Sequence, residues 1–234
     1  MASLCAVALS ACTTASPQAL AQNDPLEPTN RAIFQANRWW DRCCLVPTLT
    51  RYRDWIPEPG RRGIHNFLGN LGGPITFVND IAQGEVSRGG VTAERFVINS
   101  TLGLGGLFDP ASRMGLAAHG EDVGQTLAVW GVGEGPYLMI PLLGPSNPRD
   151  TVGIAANVLL DPTNLIPIKQ HLWWAGFRQY MVLLDLRSET LDTLQDVERN
   201  SVDYYASMRS LYRQIRAEQV RNGAAPPVGD LPDL

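Results

Sequence analysis

Histidine, cysteine and long apolar runs are all scarce in this chain, and each scarcity removes a class of function. The three histidines, His65, His119 and His171, stand far apart, and none sits in a His-x-x-x-His spacing. They read as surface or capping residues. No Gly-x-Ser-x-Gly elbow supplies a hydrolase nucleophile, so the chain is expected not to be an enzyme and to need no cofactor. Four cysteines are too few for a disulfide-stapled scaffold. The adjacent pair Cys43 and Cys44 could bridge only with strain and reads as two small buried or interfacial residues. A net charge of −4 over 234 residues leaves no electrostatic footprint for nucleic acid. No apolar stretch is long enough to cross about 30 Å of hydrocarbon.

What is present begins at the N-terminus. Leu4 to Ala11 is a short apolar run ending in small residues, as a secretory signal does. Leu9-Ser10-Ala11-Cys12 resembles the bacterial lipobox, in which the cysteine becomes the acylated first residue of the mature chain. The alternative is an ordinary signal peptide with an incidental cysteine. No Lys or Arg precedes the run, which points to a start codon upstream of Met1. The expected organisation is a signal peptide over 1–11, a lipidated polar tether over 12–23, one domain over 24–222 and a disordered Pro-rich tail over 223–234. Three acyl chains, at roughly 0.8 kcal/mol per buried CH₂, would make the anchor nearly permanent.

Within the domain the periodicity is helical. Pro28-Thr29-Asn30 opens a helix reaching about Cys43, and Thr48–Trp55 fits a second. Arg61–Leu71 fits a third, and Pro74 sits where it would open a fourth over Ile75–Gln83. In that fourth segment Thr76, Asn79, Asp80 and Gln83 share one arc, and the remaining apolar arc is too wide for a simple surface helix. Glu85–Leu102 carries two apolar arcs on nearly opposite sides. Arg149–Leu160 and His171–Leu186 are apolar over most of their circumference, the latter with one charged stripe of Arg178, Asp185 and Glu189. Glu189–Arg221 reads as an ordinary amphipathic stretch. Several short, broadly apolar helices fit either a well-buried bundle or helices lying in one membrane leaflet.

Between the helical runs, Gly131-Val132-Gly133-Glu134-Gly135-Pro136 has the look of a phosphate-binding loop but lacks its βαβ context. A hairpin or irregular loop over 131–145 fits better, with Tyr137 to Ile140 extended. At membrane depth such backbone must be buried in protein or line a cavity.

An ordered series of motifs resembles the MlaA (VacJ) family of phospholipid-transport lipoproteins. It runs from Asp24-Pro25-Leu26-Glu27-Pro28-Thr29-Asn30-Arg31 through His65-Asn66-Phe67-Leu68-Gly69-Asn70-Leu71. It continues in Glu121-Asp122-Val123-Gly124-Gln125-Thr126-Leu127, the 130–145 loop and Arg149-Asp150, and ends in Asp203-Tyr204-Tyr205 with Arg209, Tyr212 and Arg216. The resemblance implies an all-α ring of short amphipathic helices in the periplasmic leaflet of the outer membrane, with a central amphipathic channel. It also implies removal of misplaced phospholipid from the outer leaflet. Implied partners are a trimeric outer-membrane porin, the soluble carrier MlaC and, indirectly, an inner-membrane Mla ABC complex. Beside lipidation at Cys12, the expected channel or gate residues are Ile33, Phe34, Val132, Glu134, Tyr137 and Leu138. The competing reading is a structural lipoprotein that braces a porin without moving lipid.

Overall fold

The computed structural model describes residues 16–161 and 171–224. The signal and lipidation segment, including Cys12, and residues 225–234 of the expected tail lie outside the described residues, as does the side chain of His171.

The protein is mostly helical. In chain order the elements are α1 (Pro17–Ala21), α2 (Glu27–Trp40), a π-turn (Asp41–Leu45), α3 (Val46–Trp55), α4 (Glu58–Ala82), α5 (Val86–Thr101) and α6 (Pro110–Arg113). There follow α7 (Val123–Val129), strands β1 (Leu138–Ile140) and β2 (Gly144–Ser146), then α8 (Pro148–Leu160), α9 (His171–Asn200) and α10 (Tyr204–Val220). The strands form the expected hairpin, antiparallel with Met139 opposite Pro145. No described helix is long and apolar enough to cross a membrane.

Several boundaries differ from the sequence expectation. The stretch read as a polar tether contains α1, capped by the Ser16 hydroxyl and seated through buried Ala19. The first two expected helices are one continuous rod. Pro47 has no N–H to donate, and the chain passes it through the π-turn, where the Val46 N–H reaches back five residues to the Asp41 carbonyl. Cys43 and Cys44 lie on this turn and are exposed rather than buried. Pro74 does not start a helix but sits inside α4, which runs through it. The charged stretch 189–221 is broken at 201–203. Its first part continues α9, and the Asp203 side chain caps α10 by accepting the Ala206 N–H.

Two small apolar clusters hold the ends of the structure together. In one, Phe34 of α2, Tyr137 and Met139 of the hairpin strand and its approach, and Tyr205 of α10 pack together, with Tyr205 edge to face on Phe34 and Tyr137. In the other, Leu45 and Leu49 pack against Leu184 of α9. The hairpin is docked on α2 through asparagine. The Asn30 side chain donates to the Tyr137 carbonyl and accepts the Met139 N–H, and Asn37 does the same with Ile140 and Leu142. Each amide stands in for a missing neighbouring strand.

The last helix is a polar staple. Buried Asp24 accepts from Asn30 at 2.8 Å, Tyr205 at 2.6 Å and Arg209 at 2.7 Å. Two turns on, Arg216 grips two helix starts at once: Asp122 at 2.6 and 2.7 Å and Asp150 at 2.8 Å. Tyr212 adds a 2.6 Å bond to Asp150. Here α7 and α8 cross so closely that a Cβ on Gly153 would meet the Gly124 nitrogen at 2.5 Å.

Burial alone would raise both carboxyls. The Arg216 hydrogen bonds and charge, with the Gln125 N–H at Asp122 and with Tyr212 and Arg149 at Asp150, together outweigh it and hold both below the ordinary carboxylate range. Asp109 behaves alike, brought down to about 2 by Ser112, Arg95 and Asn99 against its own desolvation. A carboxyl depressed in the folded state stabilises the fold above its unfolded value, and that stabilisation is lost as pH falls through the folded one. Acid unfolding should therefore begin near pH 4 and be steepest between about 4 and 2, read by far-UV circular dichroism. A flat stability over that window would contradict these pairings.

Candidate functional site

Helices α4 and α5 are inverted relative to an ordinary soluble hairpin. The contacts Asn70–Ser100, Gly73–Phe96 and Asp80–Thr92 run in opposite order along the two helices, so they lie antiparallel. Their buried residues are Thr76, Asn79, Asp80, Gly89, Thr92 and Asn99. None is a large apolar side chain. The large apolar residues point outward instead: Phe77, Val78, Ile81, Val86, Val97 and Leu102 are exposed, with Leu104, Leu107 and Phe108 following in the loop. The polar arc of Thr76, Asn79 and Asp80 seen in the sequence is thus the inner face. Among the described residues, sixteen buried polar or charged side chains stand against ten buried apolar ones. That ratio suits an interior facing water or polar ligand and an exterior facing hydrocarbon.

Between the two helices lies a cavity of about 150 Å³. Along α4 it is lined by His65, Asn66, Gly69, Asn70, Gly73 and Thr76, which recur at helical spacing on one face. Thr92, Arg95, Phe96 and Asn99 face it from α5. At liquid density the space holds about five waters, enough for a small polar group and too little for acyl chains. One wall is rigid: Arg95 donates to Asp109 at 3.0 Å and to the Leu116 carbonyl, and Asn99 donates to Asp109 and accepts the Ala111 N–H. At one end His65 meets Asp185 at 2.8 Å and Glu189 at 3.2 Å on α9. At the other, His119 meets Asp80 at 3.0 Å. Both histidines thus meet carboxylates; His65 is exposed, as expected of a surface residue, whereas His119 is partly buried.

None of the six residues expected to form a channel or gate lines this cavity. Phe34 and Tyr137, 7% and 1% exposed, are core residues, and Ile33 packs beside them. Leu138 is half-buried in β1, whereas Val132 and Glu134 are exposed on the glycine-rich loop. The expected packing of that loop's hairpin against the first helix near Ile33 and Phe34 is present. Gly131 adopts a φ of +87°, just past α7, where the Val132 N–H returns to the Leu127 carbonyl. The glycines there close a helix and turn the chain. Of the cavity residues only Thr76 stands on the polar arc legible in the sequence, and nothing in the spacing of one helix tells what faces it.

The family model described as MlaA lipoprotein matches residues 22–219. A Shigella flexneri protein named intermembrane phospholipid transport system lipoprotein MlaA is 32% identical over 218 residues, covering 91% of this chain and 84% of the relative. An uncharacterized protein of Rickettsia bellii is 36% identical over 203 residues, covering 85% and 77%. A solved chain described under "Structural basis for maintenance of bacterial outer membrane lipid asymmetry" matches with a TM-score of 0.75 at 34% identity, covering 84% of this chain and 98% of the other.

Proposed function

The chain belongs to the MlaA lipoprotein family, and from that membership we propose that it is a lipid-anchored outer-membrane protein that takes misplaced phospholipid out of the outer leaflet. Cys12 carries the anchor. The α4–α5 hairpin lies in the periplasmic leaflet, its exposed Phe77, Val78, Val97 and Leu102 against acyl chains. The polar cavity between the helices is the route for the headgroup, which hydrocarbon would otherwise reject at several kcal/mol. A soluble carrier of the MlaC kind receives the lipid and passes it to an inner-membrane Mla ABC complex, and a trimeric porin holds the protein in place.

The observation that supports this reading most directly is the inversion of that hairpin. No reacting group is needed, because moving a lipid requires only a polar path beside an apolar one. Non-helical backbone at 137–142 fits the same picture, since the Tyr137 and Ile140 carbonyls and the Met139 and Leu142 N–H groups are satisfied by Asn30 and Asn37 within the protein. Deletion of the gene should raise outer-leaflet phospholipid several-fold, measured by labelling of surface-exposed headgroups in whole cells, and the wild-type chain should restore it. An unchanged outer leaflet would favour the bracing role instead.

A further inference from the structure

At the inner end of the cavity, three side chains from separate parts of the chain converge. Asp80 comes from α4, and His119 and Glu121 from the loop before α7. Each can offer one ligand atom, and these atoms all lie within 4.8 Å of one another. Asp80 is fully buried and Glu121 is 5% exposed, while His119 lines both the inter-helix cavity and a second cavity of about 390 Å³. His119 Nε2 is 3.0 and 3.1 Å from the two Asp80 oxygens. Two ligand atoms at about 2.0–2.1 Å from one tetrahedral zinc stand about 3.3 Å apart, so this pair is already near chelating distance.

The charges of the cluster leave room for a cation. Asp80 and Glu121 carry two negative charges. Arg88, the cation that meets both, reaches Glu121 at 2.6 Å but Asp80 only at 3.9 Å, through Nε. That Nε is buried without a hydrogen-bond partner. Around them, Gln83 donates to Glu121 and Thr92 to Asp80, both neutral. A fully buried carboxylate whose nearest permanent cation is so distant is costly. Arg88 is 29% exposed along its side chain and leans on the Asn222 carbonyl, so it can swing outward when another cation takes its place.

We propose that Asp80, His119 and Glu121 form a divalent-cation site, with zinc as the preferred ion. His119 binds through Nε2, its proton moving to Nδ1, and one position is left for water on the cavity side. The ion displaces Arg88 and ties α4 to the loop that precedes α7. The inference stands apart from lipid transport, and its failure would leave that reading intact.

The test uses untagged, chelator-treated protein in detergent, with Cys43→Ser and Cys44→Ser to remove the exposed thiol pair as a competing ligand. Calorimetric titration with zinc should give one ion per chain, and magnesium should bind at least tenfold more weakly. His119→Gln should weaken zinc binding tenfold or more. Arg88→Gln separates the site from a plain ion-pair network. Without its competitor, zinc should bind more tightly, and zinc should restore the melting temperature that the substitution lowers. X-ray absorption should show nitrogen and oxygen ligands near 2.0 Å. No stoichiometric binding to the protein lacking Cys43 and Cys44 would overturn the proposal. So would zinc affinity indifferent to both His119→Gln and Arg88→Gln.

Discussion

Replacing Thr76 by leucine should lower phospholipid clearance at least tenfold while leaving the protein folded and at its normal level. Thr76 is 8% exposed, faces the cavity from the last third of α4, and shows no side-chain hydrogen bond among the described residues. The change therefore orphans no observed partner and adds apolar bulk to a space meant for a polar group. Tenfold corresponds to about 1.4 kcal/mol on the barrier, well within what an imperfectly hydrated headgroup loses beside hydrocarbon. Thr76→Ser, which keeps the hydroxyl and removes a methyl, should clear lipid normally. If leucine is harmless in the whole-cell headgroup assay, the cavity is not the route.

The largest effect on stability should come from Arg216→Ala. The guanidinium is 12% exposed and bonds two carboxylates that start α7 and α8. Removing it leaves Asp122 with no cation among the described residues and Asp150 with Arg149 alone at 3.0 Å, two carboxylates close together and under-compensated, which costs about 3–5 kcal/mol. For a domain of this size the melting temperature should fall by roughly 6–20 °C. Lysine should not rescue it, because a point charge cannot span two carboxylates as a planar fork does. The same variant should show a shallower acid transition, since the main lowering influence on Asp122 and Asp150 is gone while Asp109 keeps its own partners. A melting temperature within 2 °C or so of wild type would contradict the staple.

Much of the architecture was readable from local pattern. The helices over 86–101 and 148–160 follow apolar periodicity and caps, and the hairpin follows the glycine-to-proline stretch at 131–145. The errors share one cause, reading each segment alone. Pro74 looks like a helix start, yet tertiary packing along α5 carries α4 through it. Residues 189–221 keep one helical phase, so nothing but the capping Asp203 marks the break before α10. The α7 helix went unnoticed because its seven residues include a glycine and no amphipathic repeat.

The site was legible to a smaller extent. Non-helical backbone at membrane depth must be buried in protein or line a cavity, and Tyr137 of the 131–145 region is buried, in a core shared with Phe34 and Tyr205. The inward polar arc of α4 was visible, and its partner arc on α5, through Thr92, Arg95 and Asn99, was hidden among charges. His119 illustrates the limit most sharply. Its partners lie 39 residues back and two residues ahead, so no fixed spacing could reveal the cluster.

The central claim is that headgroups travel between α4 and α5 while acyl chains run along their outer face. Photoreactive side chains at positions 70 and 97, introduced singly in cells and analysed by mass spectrometry, test it directly. Asn70 lines the cavity, and Val97 is exposed on the outer face. Phospholipid should be captured at both, through the headgroup at 70 and through an acyl chain at 97. Capture at 97 with none at 70 would mean that lipid only surrounds the hairpin and does not pass through it.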